Sequence, residues 1–299
     1  MTSMNADLPA RSEATEQEVA YTNGIFVQAL FPYRKPKDGV DAYRRVVTQG
    51  PVQITLTSDN GLPYGKYPRL MMVHIITTAM QRAFLAKTKR ISEDEARKIP
   101  LGQSFNEFLQ RIGSTSRGTG GARGTTTLLK EQFERLITTS ITIQDRLFDG
   151  NQGAKKNIVA EWNLWNEATG KESYILLTPE FAQLIRENPV PIDLNILFAL
   201  NKPRSIDLFL WLNVKQCWLE RRGQDKYTFS WADIEHQFSA KKLTTPVQRR
   251  DFRNEIKECL REINTHWPDS GAEAHTKEGF VLKRTAPSVP MRPSVLKLL

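Results

Sequence analysis

Four cationic side chains lie close together in the stretch 246–263, at spacings that an α-helix would turn to one side. Arg249, Arg253 and Lys257 recur every four residues, and Arg250 adjoins them. A guanidinium group can donate two hydrogen bonds to one guanine, while neighbouring cations hold phosphates. Because the cations cluster in the N-terminal half of the stretch, the pattern predicts a helix that enters a DNA major groove.

A second face of the same stretch is apolar. Four hydrophobic residues at helical spacing, from Phe252 to Ile263, predict the buried side of the helix. Lys241 and Lys242 precede it and are further candidate DNA contacts. An ordinary exposed helix is the alternative, because three carboxylates could pair with the cations instead: Glu255, Glu258 and Glu262.

An equivalent helix is predicted in the first half of the chain, from residue 125. Its first turn offers short hydroxyls and one cation that could contact phosphates or base edges. Simple capping of the helix by threonine is the alternative. The candidate contacts are Thr125, Thr126, Thr127 and Lys130.

A glycine-rich loop, GSTSRGTGGARG, precedes that helix. Its amides, together with Arg117 and Arg123, could meet a DNA phosphate, although a plain flexible loop fits the composition as well. No lysine stands where a nucleotide-binding P-loop requires one, and no predicted strand precedes the glycines. We therefore expect no nucleotide hydrolysis here.

Further cations lie in two predicted hairpins. ITIQDRLF and IVAEWNLW should pair as strands, with Lys155 and Lys156 at the tip between them. Lys283 and Arg284 end a second hairpin strand, GFVLKR. All four are predicted to contact the DNA backbone.

No residue pattern in the sequence predicts catalysis. The four histidines are scattered, without a second His or Cys at a metal-ligand spacing, so neither metal nor cofactor is expected. Tyr64 and Tyr67 could be nucleophiles for DNA nicking, but the paired histidines of such a site are missing. We expect packing roles for both tyrosines and no enzymatic activity.

Composition limits the partners and the compartment. A formal charge of +9 predicts attraction to polyanions such as nucleic acid. Cys217 and Cys259 lie far apart in apolar stretches, which favours a reducing compartment over a disulfide framework. Without a signal-peptide pattern or a bilayer-spanning apolar run, the protein is expected in the cytoplasm, away from membranes.

The order of the predicted elements is helix, helix, hairpin in each half. This order predicts an α+β protein with two tandem winged helix-turn-helix domains. A strand is also expected at 25–31, another at 52–57, and a largely buried helix from Pro68. The expected division is a flexible tail at 1–22, domains at 23–185 and 186–286, and a proline-rich tail at 287–299.

Eight segments in this order resemble the RepA family of plasmid replication initiators. They are LPYGKYPRL, LGQSFNEFLQRIG, TGGARGTTTLLKEQFERL, LTPEFAQLI, VPIDLNILFAL, SIDLFLWL, FSWADIEHQF and RRDFRNEIKECLREI. The resemblance covers about residues 25 to 285, and its most specific part is the tyrosine-proline segment followed by the glycine-rich loop and helix.

The resemblance implies a protein that binds repeated double-stranded DNA sites at a plasmid origin. It would help to open the duplex, recruit host replication proteins such as the helicase and the host initiator, and form a homodimer in some states. Two alternatives stay open. One is a winged-helix transcriptional repressor without initiator activity, and the other is a DNA-nicking or nucleotide-hydrolysing replication enzyme.

Overall fold

The computed structural model describes residues 19–27, 31–49, 52–114, 124–145, 153–165, 172–239, 242–275, 277 and 279–289. Helices and small antiparallel sheets are mixed along the chain, so the predicted α+β class is confirmed. Within the described part, no helix is long and apolar enough to cross a bilayer.

The first half of the chain is built from several short strands around one long helix. Its helices are α1 (Val40–Tyr43), α2 (Lys66–Lys87), α3 (Glu93–Arg97), α4 (Phe105–Arg111), α5 (Thr125–Ile137) and α6 (Pro179–Arg186). Its strands are β1 (Val19–Asn23), β2 (Arg44–Gln49), β3 (Val52–Ser58), β4 (Lys98–Gly102), β5 (Thr139–Asp145), β6 (Gly153–Asn157), β7 (Val159–Asn163) and β8 (Ser173–Leu177).

The second half is richer in helix. Its helices are α7 (Leu194–Ala199), α8 (Pro203–Arg222), α9 (Trp231–Phe238) and α10 (Pro246–His266). Its strands are β9 (Pro189–Asp193), β10 (Lys226–Phe229), β11 (Ala272–His275) and β12 (Gly279–Lys283).

Helix α2 is the centre of the first half, as its sequence predicts. Apolar residues occur around most of its circumference, and nine of its residues are buried against neighbouring elements. It packs on β1, α3 and α5 within its own half, and on α8 of the other half. The helix begins two residues before Pro68, which therefore occupies its first turn without breaking it.

Both halves repeat one order of elements. In the first half α2, β4, α4, α5, β7 and β8 occur in this order, with α3 inserted after α2 and with β5 and β6 inserted after α5. The sheet order is β4-β8-β7. In the second half α8, β10, α9, α10, β11 and β12 follow one another, and the sheet order is β10-β12-β11. Each unit is therefore helix, strand, helix, helix and hairpin, with the last strand in the middle of its sheet.

A glycine permits the close pairing of the second three-stranded sheet. Gly279 opens β12 with φ +109°, a conformation that side chains rarely adopt. A Cβ at this position would lie 2.3 Å from the carbonyl oxygen of Phe229 on β10. The approach of β10 to β12 thus depends on the absence of a side chain.

The predicted first hairpin is wrong in its pairing. β5 contains the expected ITIQD segment, but it pairs with β6, where Ile141 faces Lys156 and Thr142 faces Lys155. β7 pairs with β8 in another sheet. β3 pairs with one edge of β5 and β6 pairs with the other, so the four strands form a sheet in the order β2-β3-β5-β6. Strand propensity marks β5 and β7 but not β6, whose sequence GAKKN has no β-branched or aromatic residue.

The strand predicted at 25–31 is also wrong for its described residues, because residues 24–27 form a turn. The Asn23 side chain accepts a hydrogen bond from the amide of Ile25 at 3.0 Å, and the Asn23 carbonyl accepts one from Phe26 at 2.9 Å. An asparagine that bonds the amide two residues on is a common turn signal. Phe26 and Val27 are buried, so this apolar run contributes to the core.

Both predicted tail ranges include residues that belong to the fold. Residues 19–22, assigned to the N-terminal tail, belong to β1, which pairs antiparallel with β9 from the other half. At the other end, the buried Ser288 hydroxyl donates to Asn213 Oδ1 at 2.6 Å and accepts from the Asp193 amide at 3.1 Å. Each predicted tail is therefore joined to the second predicted domain, which contains β9, Asp193 and Asn213.

A buried ion pair joins α2 to α8. Arg69 donates to both carboxylate oxygens of Asp207, at 2.7 and 2.8 Å, and both side chains are only 3% exposed. The same guanidinium donates to the carbonyls of Phe31 and Gly65. Burial acts to lower the pKa of Arg69, but the charge and hydrogen bonds of Asp207 more than offset it and raise the pKa overall.

Removing one member of this pair should strongly destabilise the fold. We expect Asp207→Ala to lower the free energy of unfolding by about 3–5 kcal/mol, because it leaves a buried guanidinium without its counter-charge. The joint change Arg69→Met with Asp207→Leu should cost less than either single removal of charge. Urea unfolding measures these differences, with the exposed Asp94→Ala as a control that changes stability little. A small effect of Asp207→Ala would mean that the buried guanidinium does not depend on its counter-charge.

Stability should also depend on His74. Its Nε2 is shielded from solvent and has no hydrogen-bond partner among the described residues. Burial, aided by Arg111, lowers the pKa of His74 from 6.5 to about 4. The unfolded chain therefore binds a proton that the folded chain excludes, and stability should fall as pH drops from about 6.5 to 4, by about 3 kcal/mol at most. His74→Gln should remove most of this slope, whereas the exposed His266→Gln should keep it; urea unfolding across pH tests both.

Candidate nucleic-acid interface

Helix α10 begins where its sequence predicts. Thr245 Oγ1 accepts a hydrogen bond from the Gln248 amide at 3.2 Å, and the Gln248 side chain accepts one from the Thr245 amide at 3.2 Å. This reciprocal cap satisfies amides of the first turn, and Pro246 at the first position needs no partner. The predicted apolar face is confirmed, since Phe252, Ile256, Leu260 and Ile263 are buried.

The three glutamates that the exposed-helix alternative invokes pair with residues outside α10 and not with its cations. Glu255 forms an ion pair with Arg204, and Glu258 forms one with Lys202 at 3.1 Å, both at the start of α8. Glu262 accepts hydrogen bonds from the same segment, including the amide of residue 201 at 2.8 Å. The three carboxylates are therefore directed towards α8.

The cations lie on another side of α10 and line an open groove of about 290 Å³. Trp231 of α9 forms its wall. The remaining lining residues all belong to α10: Pro246, Arg249, Arg250, Arg253, Asn254 and Lys257. The structure thus brings the four predicted cations of this helix together on one surface, which we call the α10 cationic face.

One carboxylate from α9 reaches this face. Glu235 accepts from Arg253 at 3.1 Å and lies 3.5 Å from Arg249. Arg253 also lies over the ring of Trp231, with its guanidinium carbon 5.3 Å from the ring centre. The sequence pattern does not indicate Glu235, because its place beside α10 depends on how two helices pack.

On α10 itself, Asp251 pairs only with its neighbour Arg250 among the described contacts, at 3.2 Å.

The tip of the β11–β12 hairpin lies near the same face. Trp231 Nε1 donates to the carbonyl of His275 at 2.9 Å, and His275 pairs with Gly279 across the hairpin. Lys277, a turn residue between them, is exposed. Since Trp231 contacts both Arg253 and His275, it places the hairpin turn at the end of the domain that carries the cations. Lys277 is a second candidate that the sequence pattern does not indicate.

Lys283 and Arg284 lie at the end of the second hairpin strand, as predicted, and this end of β12 is away from Lys277. The Lys283 amide there donates to the carbonyl of Gly271 at 2.8 Å. Their side chains pair with carboxylates instead: Lys283 with Glu273 at 2.6 Å and Arg284 with Asp225 at 2.6 Å. The hydrogen bond from Lys283 lowers the pKa of Glu273. Lys242, just before α10, is exposed as predicted.

In the first half, α5 begins at residue 125 as predicted, and its apolar side, including Leu129 and Phe133, is buried. Its N-cap residue is Gly124, which has no side chain to bond the first amides. Thr127 and Lys130 are exposed and Thr126 is half-buried. Lys130 Nζ lies 5.5 Å from the ring centre of Phe105.

Other predicted contacts are not at the expected place or lie outside the described residues. The backbones of Lys155 and Lys156 lie within β6 rather than at a hairpin tip. Their side chains, that of Thr125, and all of Arg117, Arg123 and Lys241 lie outside the described part. Among the residues that the structure describes, no three His, Cys, Asp or Glu side chains cluster as metal ligands would.

Comparisons with known proteins give one family. Residues 62–233, more than half of the chain, match the family described as plasmid-encoded RepA protein. No curated protein matches the chain. Two crystal structures of domains 2 and 3 of RctB are similar. One, of selenomethionine derivatives, has 12% identity over 87% of this chain and 95% of that chain, with a TM-score of 0.49. The other has 14% identity over 85% of each chain and a TM-score of 0.46.

The N-terminal cap of α10 should support the cationic face. Thr245→Ala removes the acceptor for the Gln248 amide, and we expect a loss of about 1 kcal/mol in the free energy of unfolding. The amides of residues 247–249 should exchange with solvent faster in hydrogen-exchange measurements. The matched control is Thr265→Ala near the other end of α10, where the exposed hydroxyl only bonds the carbonyl of Arg261. Equal exchange in both variants would argue against a supporting role for this cap.

Proposed function

Because the chain belongs to the family of plasmid-encoded RepA proteins, we propose that it is a replication initiator that binds repeated double-stranded DNA sites at a plasmid origin. Occupied sites would help to open the duplex and to recruit the host helicase and host initiator. The proposal assigns the chain a binding function, without a catalytic step.

The proposal includes two tandem winged-helix domains. The repeated order of helix, strand, helix, helix and hairpin, with the last strand in the middle of each sheet, supports it in both halves. In this arrangement α5 and α10 are the recognition helices, and the β7–β8 and β11–β12 hairpins are the wings. This assignment replaces the predicted first wing, since β5 and β6 belong to the separate four-stranded sheet.

The observation that carries DNA binding is the α10 cationic face. Four cations lie on one side of an exposed helix, while three carboxylates of the same helix are engaged with the start of α8. Among the described contacts, Glu235 pairs with Arg249 and Arg253, and Asp251 pairs with Arg250, so these three arginines outnumber their carboxylate partners. Such a face can hold phosphates and donate paired hydrogen bonds to guanine in the major groove.

Self-association is part of the proposal. β2 is an edge strand of the four-stranded sheet; Val46 within it is 40% exposed, and Tyr43 just before it is 52% exposed. An edge strand with exposed apolar side chains is a surface that a second copy can cover.

The first experiment is binding of the purified chain to duplex DNA flanking its own gene and to random duplex of equal length, over a range of salt. A preference of about a thousandfold for the flanking duplex, with affinity falling steeply as salt rises, supports sequence-specific binding of duplex DNA. Equal weak binding to both contradicts the proposal. A second test asks whether the gene supports autonomous replication of a minimal replicon. An initiator should support it, whereas a repressor would bind the site without supporting replication.

Substitutions should distinguish base contacts from backbone contacts. Arg253→Ala should weaken binding to the specific site by about 1–3 kcal/mol and reduce the preference over random duplex. Lys277→Ala, at the hairpin tip, should weaken binding to both duplexes alike and lower the salt slope by about one. Salt-dependent titrations measure both effects.

The matched control is Lys283→Ala, which removes the same charge at the far end of β12. We expect a smaller change in salt slope than for Lys277→Ala. A larger change for Lys283→Ala would reverse the assignment of the DNA-facing end, and equal loss on both duplexes for Arg253→Ala would remove α10 as the recognition helix.

A further inference from the structure

We propose that Glu235 is a specificity-determining positioning residue, which holds Arg249 and Arg253 in fixed orientations for guanine bases. This inference rests on the proposed function, namely duplex binding through the α10 cationic face. It adds the class of base that the face selects and a residue outside α10 on which the selection depends.

The carboxylate of Glu235 divides its two oxygens between the two arginines. Oε1 accepts from Nε and Nη2 of Arg253, at 3.3 and 3.1 Å. Oε2 lies 3.5 Å from Nε of Arg249. The Glu235 side chain is only 15% exposed, whereas those of Arg253 and Arg249 are 36% and 46% exposed. A shielded anion therefore lies beneath two cations that reach the surface.

Each arginine has a second contact that restricts it further. The guanidinium of Arg253 lies over the ring of Trp231 at 5.3 Å, and Nη2 of Arg249 donates to the carbonyl of Leu243 at 3.2 Å. A long side chain that is held at two points loses less rotamer freedom when it binds a ligand. The pair is therefore oriented before DNA arrives.

The geometry leaves one edge of Arg253 available. A guanidinium presents two forks of parallel N–H donors, one along its Nε side and one at its end. Glu235 accepts from Nε and from one N–H of Nη2. Among the described residues no hydrogen bond involves Nη1, so Nη1 and the second N–H of Nη2 form the available end fork. An end fork of this kind matches O6 and N7 of guanine in the major groove.

The charge of Glu235 has a second consequence. It offsets part of the attraction of the cationic face for phosphates, which supplies binding to any sequence. Its removal should thus raise affinity for random duplex while it lowers the preference for the specific site. A residue that only stabilised the fold would shift both affinities in the same direction.

Asp251 provides a matched comparison. It also pairs with an arginine of the face, Arg250, which is its one ion-pair partner among the described residues. Both side chains are mostly exposed, at 63% for Asp251 and 68% for Arg250. Exposed pairs of this kind restrict their partners little. Neutralising Asp251 therefore removes the same charge without releasing a fixed pair.

The experiment selects binding sites from a random-sequence duplex library with the full chain, and then measures affinities for the selected duplex and for random duplex. Glu235→Gln should reduce the preference by about tenfold and bind random duplex more tightly. Asp251→Asn should bind random duplex more tightly and keep its preference. Glu235→Asp keeps the charge but is too short to hold both arginines, so it should lose preference without gaining affinity for random duplex.

A DNA substitution identifies the base. In the selected duplex, replacing guanine by 7-deazaguanine removes the N7 acceptor. This change should weaken binding by the wild-type chain more than binding by Glu235→Gln, because the variant no longer presents a fixed fork.

The outcomes separate the two proposals. If the wild-type chain enriches no site, the proposed function and this inference both fail. If it enriches a site and Glu235→Gln keeps the full preference, only the role of Glu235 is overturned.

Discussion

The arrangement of the whole chain depends on the buried ion pair between Arg69 and Asp207. A guanidinium and a carboxylate shielded from water are tolerated only when their charges and hydrogen bonds are satisfied, and here each meets the other at two points. The pair joins α2 and α8, which are the first helices of the two repeated units. The carbonyls of residues 31 and 65 also accept hydrogen bonds from Arg69, so the ion pair also binds the backbone that precedes α2. The relative position of the two halves thus depends on the pairing of the buried Arg69 guanidinium with Asp207.

One turn before Asp207, Arg204 extends this connection to α10. It pairs with Glu255, and its guanidinium lies 4.5 Å from the ring centre of Tyr33 in the first half. By attracting carboxylates of α10 to one side, the start of α8 leaves the cations on another. Helix α10 carries five cations and four carboxylates, so it is nearly neutral as a sequence. Its proposed role as a DNA-binding surface depends on the separation of these charges, which packing against α8 and α9 produces.

The two repeated units differ in what has been added to them. In the second unit the hairpin follows α10 directly, whereas in the first unit β5 and β6 intervene between α5 and β7 and join β2 and β3 in a separate sheet. This insertion explains why the sequence predicts the wrong first hairpin. Three segments of strand-like composition follow α5, and any two of them make a plausible hairpin until the edges that β3 and β8 provide are known.

Local interactions can be predicted from the sequence, and long-range ones cannot. The start of α10, its cap, its apolar face and the buried nature of α2 follow from contacts within a few residues, which spacing and residue type specify. The basic charge and the α+β class follow from composition and element order. The tertiary structure decided which strands pair with β5. It also decided that Glu255 and Glu258 pair with the start of α8, and where Glu235 and Lys277 lie. These contacts join residues far apart in the chain, and their energies depend on which edges and charges the rest of the fold brings within reach.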